Sequence, residues 1–132
     1  MKNIHVSAAI IIKDEKIFVT QRGYGEFKDF WEFPGGKIEE GETKEDALKR
    51  EIKEELQAEV IIEKFLTTVE YDYTNFHLIM ECFICTLKNP HIELVEAEDA
   101  KFVTQKELDT IGFLPADLIV VKELKKHLNT IK

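Results

Sequence analysis

Residues 31–58 read WEFPGGKIEEGETKEDALKREIKEELQA. The stretch opens on Trp31 and Phe33, passes through Pro34 and the pair Gly35-Gly36, and closes in a run dense with glutamates. Thr43 is placed as a helix N-cap, and Asp46, three residues on, makes an imperfect capping box. Leu48, Ile52 and Leu56 recur every four residues and cover about 80° of a helical wheel, the width of a buried stripe. Glu51, Glu54 and Glu55 stand at i, i+3 and i+4 on a neighbouring arc of about 100°. This is a turn that delivers a helix with one acidic flank.

Like charges at that spacing repel, and the repulsion grows where the flank borders a core. Taken alone, KREIKEEL is also an ordinary solvated face. If a cation offsets the charge, the donors are all carboxylate oxygens, which select Mg²⁺, Mn²⁺ or Ca²⁺ over zinc. Gly35 and Gly36 would let the backbone come close to such an ion or to a phosphate. Arg50, four residues before Glu54, is placed to orient a carboxylate.

Upstream, IHVSAAIII (4–12) and KIFVTQ (16–21) are β-branched runs split by Lys13-Asp14-Glu15, a hairpin pattern. Arg22 follows, then a loop carrying Tyr24, Phe27 and Phe30, aromatics suited to stacking on a flat ligand. Downstream, residues 60–62 and FLTTVEYDY lead through a turn at Thr74-Asn75 into FHLIMECFICTL. A short strand is expected at Lys101–Val103, a brief helix capped by Thr104, and a last helix over 115–128 opened by Pro115. Strands interleaved with two substantial helices predict an α/β domain with a mixed sheet and helices on both sides.

The 132 residues suffice for one domain, expected over 1–132, with 44% apolar and 33% charged residues. A formal charge of −8 argues against long nucleic acids and anionic membranes as partners. The N-terminal apolar run is too short to span a bilayer, so the cytoplasm is the expected compartment. Cys82 and Cys85 form a C-x-x-C, but on a strand residues three apart face opposite ways, which predicts two buried free thiols.

Gly36, Glu42 and Arg50-Glu51-Ile52-Lys53-Glu54-Glu55 together resemble the Nudix box, G-x5-E-x7-R-E-U-x-E-E-x-G-U, where U is a bulky aliphatic. Six fixed glycine or polar positions are met. Gln57 stands where the pattern has glycine, and Ala58 is small for its aliphatic position. The missing glycine predicts a cost of about 1 kcal/mol at a left-handed turn, or a helix that runs on. The resemblance extends to WEFPGGKIEEGET, Thr20-Gln21-Arg22 and Leu114-Pro115-Ala116-Asp117, which are similar to the MutT-like branch of Nudix hydrolases. It implies an α/β/α sandwich, with the box as a loop–helix–loop on one side of the sheet and the C-terminal helix on the other.

The same resemblance implies Mg²⁺-dependent hydrolysis (Mn²⁺ being the alternative ion) of a nucleoside triphosphate to the monophosphate and pyrophosphate. A house-cleaning enzyme for oxidised nucleotides such as 8-oxo-dGTP is the leading expectation. A CTP or dCTP pyrophosphohydrolase and a non-catalytic nucleotide-binding domain are the alternatives. The implied metal ligands are Glu51, Glu54, Glu55, Gly35 and the later Glu96, with Glu98 in reserve. Arg50 joins Glu51, Glu54, Glu55 and Glu96 as the catalytic set. Arg22, Gly36, Glu42, Phe27, Phe76, His77 and Asp117 are the implied substrate-binding residues. Phe76 falls where MutT has an arginine, and Asp117 where it has an amide. An ionised Asp117 would accept only, favouring bases that present N–H donors. Monomer and homodimer are both left open.

Overall fold

The computed structural model describes residues 2–95 and 97–130, and side chains to residue 128. Seven strands lie among them. β1 (Lys2–Lys13) runs through the middle of the sheet and makes three pairings. β6 (Phe76–Leu87) lies parallel along one edge of β1, from Lys2 opposite Phe76 to Ile11 opposite Cys85. The other edge is divided. Its C-terminal end pairs antiparallel with β2 (Lys16–Gln21), across the hairpin expected at Lys13-Asp14-Glu15. Its middle, Val6–Ala8, pairs with the three-residue β4 (Gly35–Lys37). β5 (Val60–Asp72) continues the sheet beyond β6, and β3 (Trp31–Glu32) and β7 (Asp99–Val103) both pair with β2. The sheet is therefore mixed, as expected.

Strand alternation sends successive side chains of β1 to opposite faces. Ala9 and Ile11 join Phe83 and Cys85 beneath α1 (Lys44–Leu56), whose Leu48, Ile52 and Leu56 fill that core. Each such fully buried aliphatic contributes roughly 1.5–3 kcal/mol. Ala8 and Ile10 face the other way with Met80, Cys82 and Ile84, against Ala116, Val120 and Leu124 of α2 (Pro115–Thr130). Helices thus cover both faces in an α/β/α sandwich. Cys82 and Cys85 fall in different cores and are free thiols, whose pKa values burial pushes up.

Several boundaries refine the sequence reading. The Thr43 hydroxyl accepts from the Asp46 N–H at 3.0 Å, the expected cap. Gln57 does not let α1 run on: it takes the left-handed turn itself, φ 51°, with its N–H on the Lys53 carbonyl. β3 and β4 form where the sequence predicts a turn, and α2 extends two residues further than expected. The brief helix after Thr104 is a single 3-10 turn, Lys106–Thr110. Among the described residues no helix is long and apolar enough to cross a membrane.

Candidate active site

Helix α1 holds its acidic flank against β4. Arg50 is central to the arrangement, because all five guanidinium N–H donors are used. Nε and Nη2 clamp the Glu42 carboxylate at 2.7 and 2.9 Å, and Nη2 also reaches the Lys37 carbonyl at 3.0 Å. Nη1 donates to Glu51 at 2.8 Å and to Glu54 at 3.1 Å. Glu42 in turn accepts from the Glu39 N–H, closing the loop ahead of the helix. The hydrogen bonds from Arg50 hold the Glu42 carboxyl at about 2, well below the usual carboxylate range.

This corrects the charge argument made from the helical wheel. Arg50 already lies between Glu51 and Glu54, so repulsion between them does not by itself demand a further cation. Among the described residues, no three Asp, Glu, His or Cys side chains gather into a metal cage. What fits a hard divalent ion is the donor chemistry. The flank offers carboxylate oxygens only, and Mg²⁺ needs few of them, because it keeps waters and binds substrate phosphates. Gly36 supplies the room. A Cβ there would stand 2.2 Å from Glu51 Oε2, so only glycine lets the carboxylate lie against β4. Ala47, fully buried one turn before Glu51, confirms that the flank borders the core.

Two cavities adjoin this flank and share Arg22 and Glu32. Arg22, at the end of β2, donates from Nη2 and Nε to the two oxygens of Glu32 on β3, at 2.7 and 3.2 Å. On one side of this pair a small cleft is lined by Thr20, Gly23, Tyr24, Glu55 and Ala97. On the other, a cavity of about 140 Å³ runs between β1, β4, the β5–β6 hairpin and the start of α2. Gly35, Gly36, Phe27, Phe33, Tyr73, Phe76 and Asp117 contribute to its walls.

Asp117 is 4% exposed at the start of α2, and its Oδ1 accepts from the Phe33 N–H at 3.0 Å. Burial pushes its carboxyl up to about 8. The ionised, accept-only aspartate expected from its residue type is thus a largely neutral acid at pH 7. It keeps a proton to donate as well as lone pairs to accept.

Two expected site residues, His77 and the reserve Glu98, lie elsewhere. His77 does not line either cavity. Its two ring nitrogens meet Asp72 at 2.6 Å and Glu70 at 2.8 Å on the neighbouring strand, and those bonds raise its pKa. Glu98 turns toward the loop after β2, where a hydrogen bond shared with Asp29 raises its carboxyl pKa. Glu96 lies outside the described residues, although Ala97 beside it lines the small cleft. Phe27 and Phe76 do line the larger cavity, whereas Phe30 and Tyr24 are largely exposed. Glu32 and Tyr73 escaped the sequence reading. Glu32 lies inside the quoted WEFPGG stretch, but its role shows only when β3 pairs with β2 beside Arg22, and Tyr73 belongs to no local pattern.

A model of the NUDIX domain matches residues 3–124. The chain belongs to that family. It is 30% identical over 127 residues to an 8-oxo-dGTP diphosphatase of Buchnera aphidicola subsp. Schizaphis graminum, covering 96% of each chain. Over 69 residues, 52% of this chain and 51% of the other, it is 42% identical to a CTP pyrophosphohydrolase of Escherichia coli. The fold matches a MutT Nudix hydrolase from Burkholderia pseudomallei with a TM-score of 0.83, covering 93% of this chain and 98% of that one at 22% identity. This MutT-like Nudix hydrolase therefore belongs to a divalent-metal-dependent group of enzymes that act on phosphoric anhydride bonds.

Proposed function

We propose that the chain hydrolyses a purine deoxynucleoside triphosphate, 8-oxo-dGTP or a close relative, to the monophosphate and pyrophosphate with Mg²⁺. The observation that carries the reading is the pair of cavities joined at Arg22–Glu32. One is apolar and aromatic with a single buried acid, suited to a base; the other is polar and reaches Glu55 on the acidic flank. A nucleotide has the same division into a flat base and a charged tail.

Glu51, Glu54 and Glu55, with Gly35 and Glu96, are the residues assigned to hold Mg²⁺, for which Mn²⁺ is the substitute. When bound, the ion supplies charge neutralisation for the phosphates and makes a nearby water more acidic. The chain's own residues do the rest. Arg50 fixes Glu51 and Glu54 in place, Glu42 fixes Arg50, and one of the flank carboxylates takes the proton from the attacking water. Arg22, which lines both cavities, is the cation offered to a phosphate oxygen in exchange for its bond to Glu32. Phosphoryl transfer asks mainly for such positioning.

Water attacks the β-phosphorus. A new P–O bond forms there, the bond from that phosphorus to the α–β bridging oxygen breaks, and the monophosphate leaves with the bridging oxygen. In ¹⁸O-water the label therefore enters pyrophosphate, as mass spectrometry of the products will show. Label in the monophosphate would place the attack at the α-phosphorus instead.

The neutral Asp117 suits a base edge with a donor beside an acceptor, such as N1–H and O6 of a guanine. N4 and N3 of cytosine meet the same description, and the likeness to a CTP pyrophosphohydrolase favours that second reading. A pH series tests the role of Asp117 under either. Its folded pKa, about 8, lies above the ordinary 3.8, so the folded state binds the extra proton between those values. The stability contributed by this group is complete below the lower pKa and is lost as pH rises toward the upper one. The proton Asp117 offers to the base is lost as pH passes through about 8, so KM is expected to rise between pH 7 and 9. Asp117→Asn, which imitates the neutral acid, should hold the pH 7 base preference to within about threefold, flatten KM between pH 7 and 9, and remove this group's share of the Tm loss below about pH 8. A KM for Asp117→Asn that still rises between pH 7 and 9 would remove the assignment.

A further inference from the structure

Helix α2 begins without a cap of its own. The residue before Pro115 is Leu114, whose side chain has no oxygen to offer the first-turn N–H groups. The Leu118 N–H reaches the Leu114 carbonyl within the helix, but the Ala116 N–H lies outside the helical ladder and is fully buried. Its partner comes from a residue 43 positions earlier: it donates to the Tyr73 hydroxyl at 3.1 Å. Asp117 is the next residue.

Tyr73 does more than cap. Its ring stacks on Phe76 at 5.0 Å and meets the edge of Phe27 at 5.4 Å. Its N–H closes the hairpin on the Phe76 carbonyl at 2.9 Å. One side chain therefore touches the loop after β2, the β5–β6 hairpin and the start of α2, three separate walls of the larger cavity.

We propose that Tyr73 is a positioning residue for base selection: its hydroxyl fixes the first turn of α2, and hence Asp117, relative to the aromatic wall that its ring forms with Phe27 and Phe76. The inference rests on the reading of the larger cavity as the base site. Under that reading, selectivity depends on the spacing between a stacking surface and a hydrogen-bonding acid, and Tyr73 ties the two together through its ring and one hydrogen bond. A purely structural tyrosine would affect every nucleotide alike.

The experiment measures kcat and KM with Mg²⁺ for 8-oxo-dGTP, dGTP and dCTP in the wild type, Tyr73→Phe and Asp117→Ala. Tyr73→Phe keeps the ring and removes only the oxygen. The ratio of kcat/KM between the best and worst nucleotide is expected to shrink by about tenfold, the scale of one hydrogen bond, chiefly through KM. Amide exchange at Ala116 should accelerate in the same variant. A uniform loss on all three nucleotides would overturn the proposal. An unchanged ratio in Tyr73→Phe, with the ratio collapsed in Asp117→Ala, would overturn it while leaving the base site in place. An unchanged ratio in both would remove the base site itself. Tyr73→Phe loses one hydrogen bond and no ring contact, so it is expected to fold with a Tm within a few degrees of the wild type.

Discussion

Glu55→Gln lowers kcat by roughly 10²–10⁴-fold, the range associated with loss of a positioned proton acceptor, and leaves the fold unchanged. The substitution removes a charge with little change of volume, on a helix whose stability comes from the neighbouring stripe of Leu48, Ile52 and Leu56. Glu55 is the flank residue that lines the cleft beside Arg22 and Glu32, so it lies where the triphosphate is placed. Glu45→Gln, an exposed acid in the first turn of the same helix, is the matched control and should behave as wild type. Circular dichroism, Tm and a pyrophosphate-release assay over a magnesium series give the necessary readouts. Activity above about a tenth of wild type in Glu55→Gln would detach the acidic flank from catalysis.

The second large effect concerns the adjacent glycines, which separate stability from activity. A Cβ on Gly35 would lie 2.0 Å from the Ser7 carbonyl oxygen and 2.8 Å from the Ala8 Cα. Both belong to the backbone of β1, the strand that carries the rest of the sheet. They cannot move aside without breaking the β1–β4 pairing. Gly35→Ala should therefore cost about 3 kcal/mol or more and lower Tm by on the order of 10 °C. On Gly36 the Cβ would meet Glu51 Oε2 and Cδ, at 2.2 and 2.3 Å, the free end of a side chain. That end can swing away, so Gly36→Ala should lose about 1 kcal/mol or less while kcat falls at least about tenfold. Equal losses of Tm in the two variants would refute the distinction.

The features legible in the sequence share one property: their determinants are close together along the chain. The Thr43 cap, the stripe of α1, the hairpin at Thr74-Asn75 and the proline opening of α2 are all decided within a few residues. Two-residue β3 and three-residue β4 have no periodicity to read. They exist because Thr20 and Gln21 pair with Glu32 and Trp31, and because Val6–Ala8 pair with Lys37–Gly35. Trp31 is further held by its N–H on the Gly112 carbonyl and its carbonyl under the Leu114 N–H. The Arg22–Glu32 bond depends on the same long-range pairing.

Residue type was also misleading where environment controls charge. Asp117 reads as a carboxylate, and only its burial beside Phe33 shows a proton held to about 8. His77 is expected at the substrate from the resemblance, yet Glu70 and Asp72 on the neighbouring strand hold its ring. The glycines read as a single concession to a ligand, whereas one of them is required by the sheet.

The parallel union of β1 with β6 joins segments more than seventy residues apart. During synthesis β1 can pair with β2 and β4 well before β6 is made, and closing the wide β1–β6 loop carries an entropic cost beyond those contacts. Assembly of the sheet must therefore wait for most of the chain, and high contact order makes the step slow. Until then the β6-facing edge of β1 is unpaired beside the apolar run Ala8–Ile12, which makes this strand a point of vulnerability to aggregation.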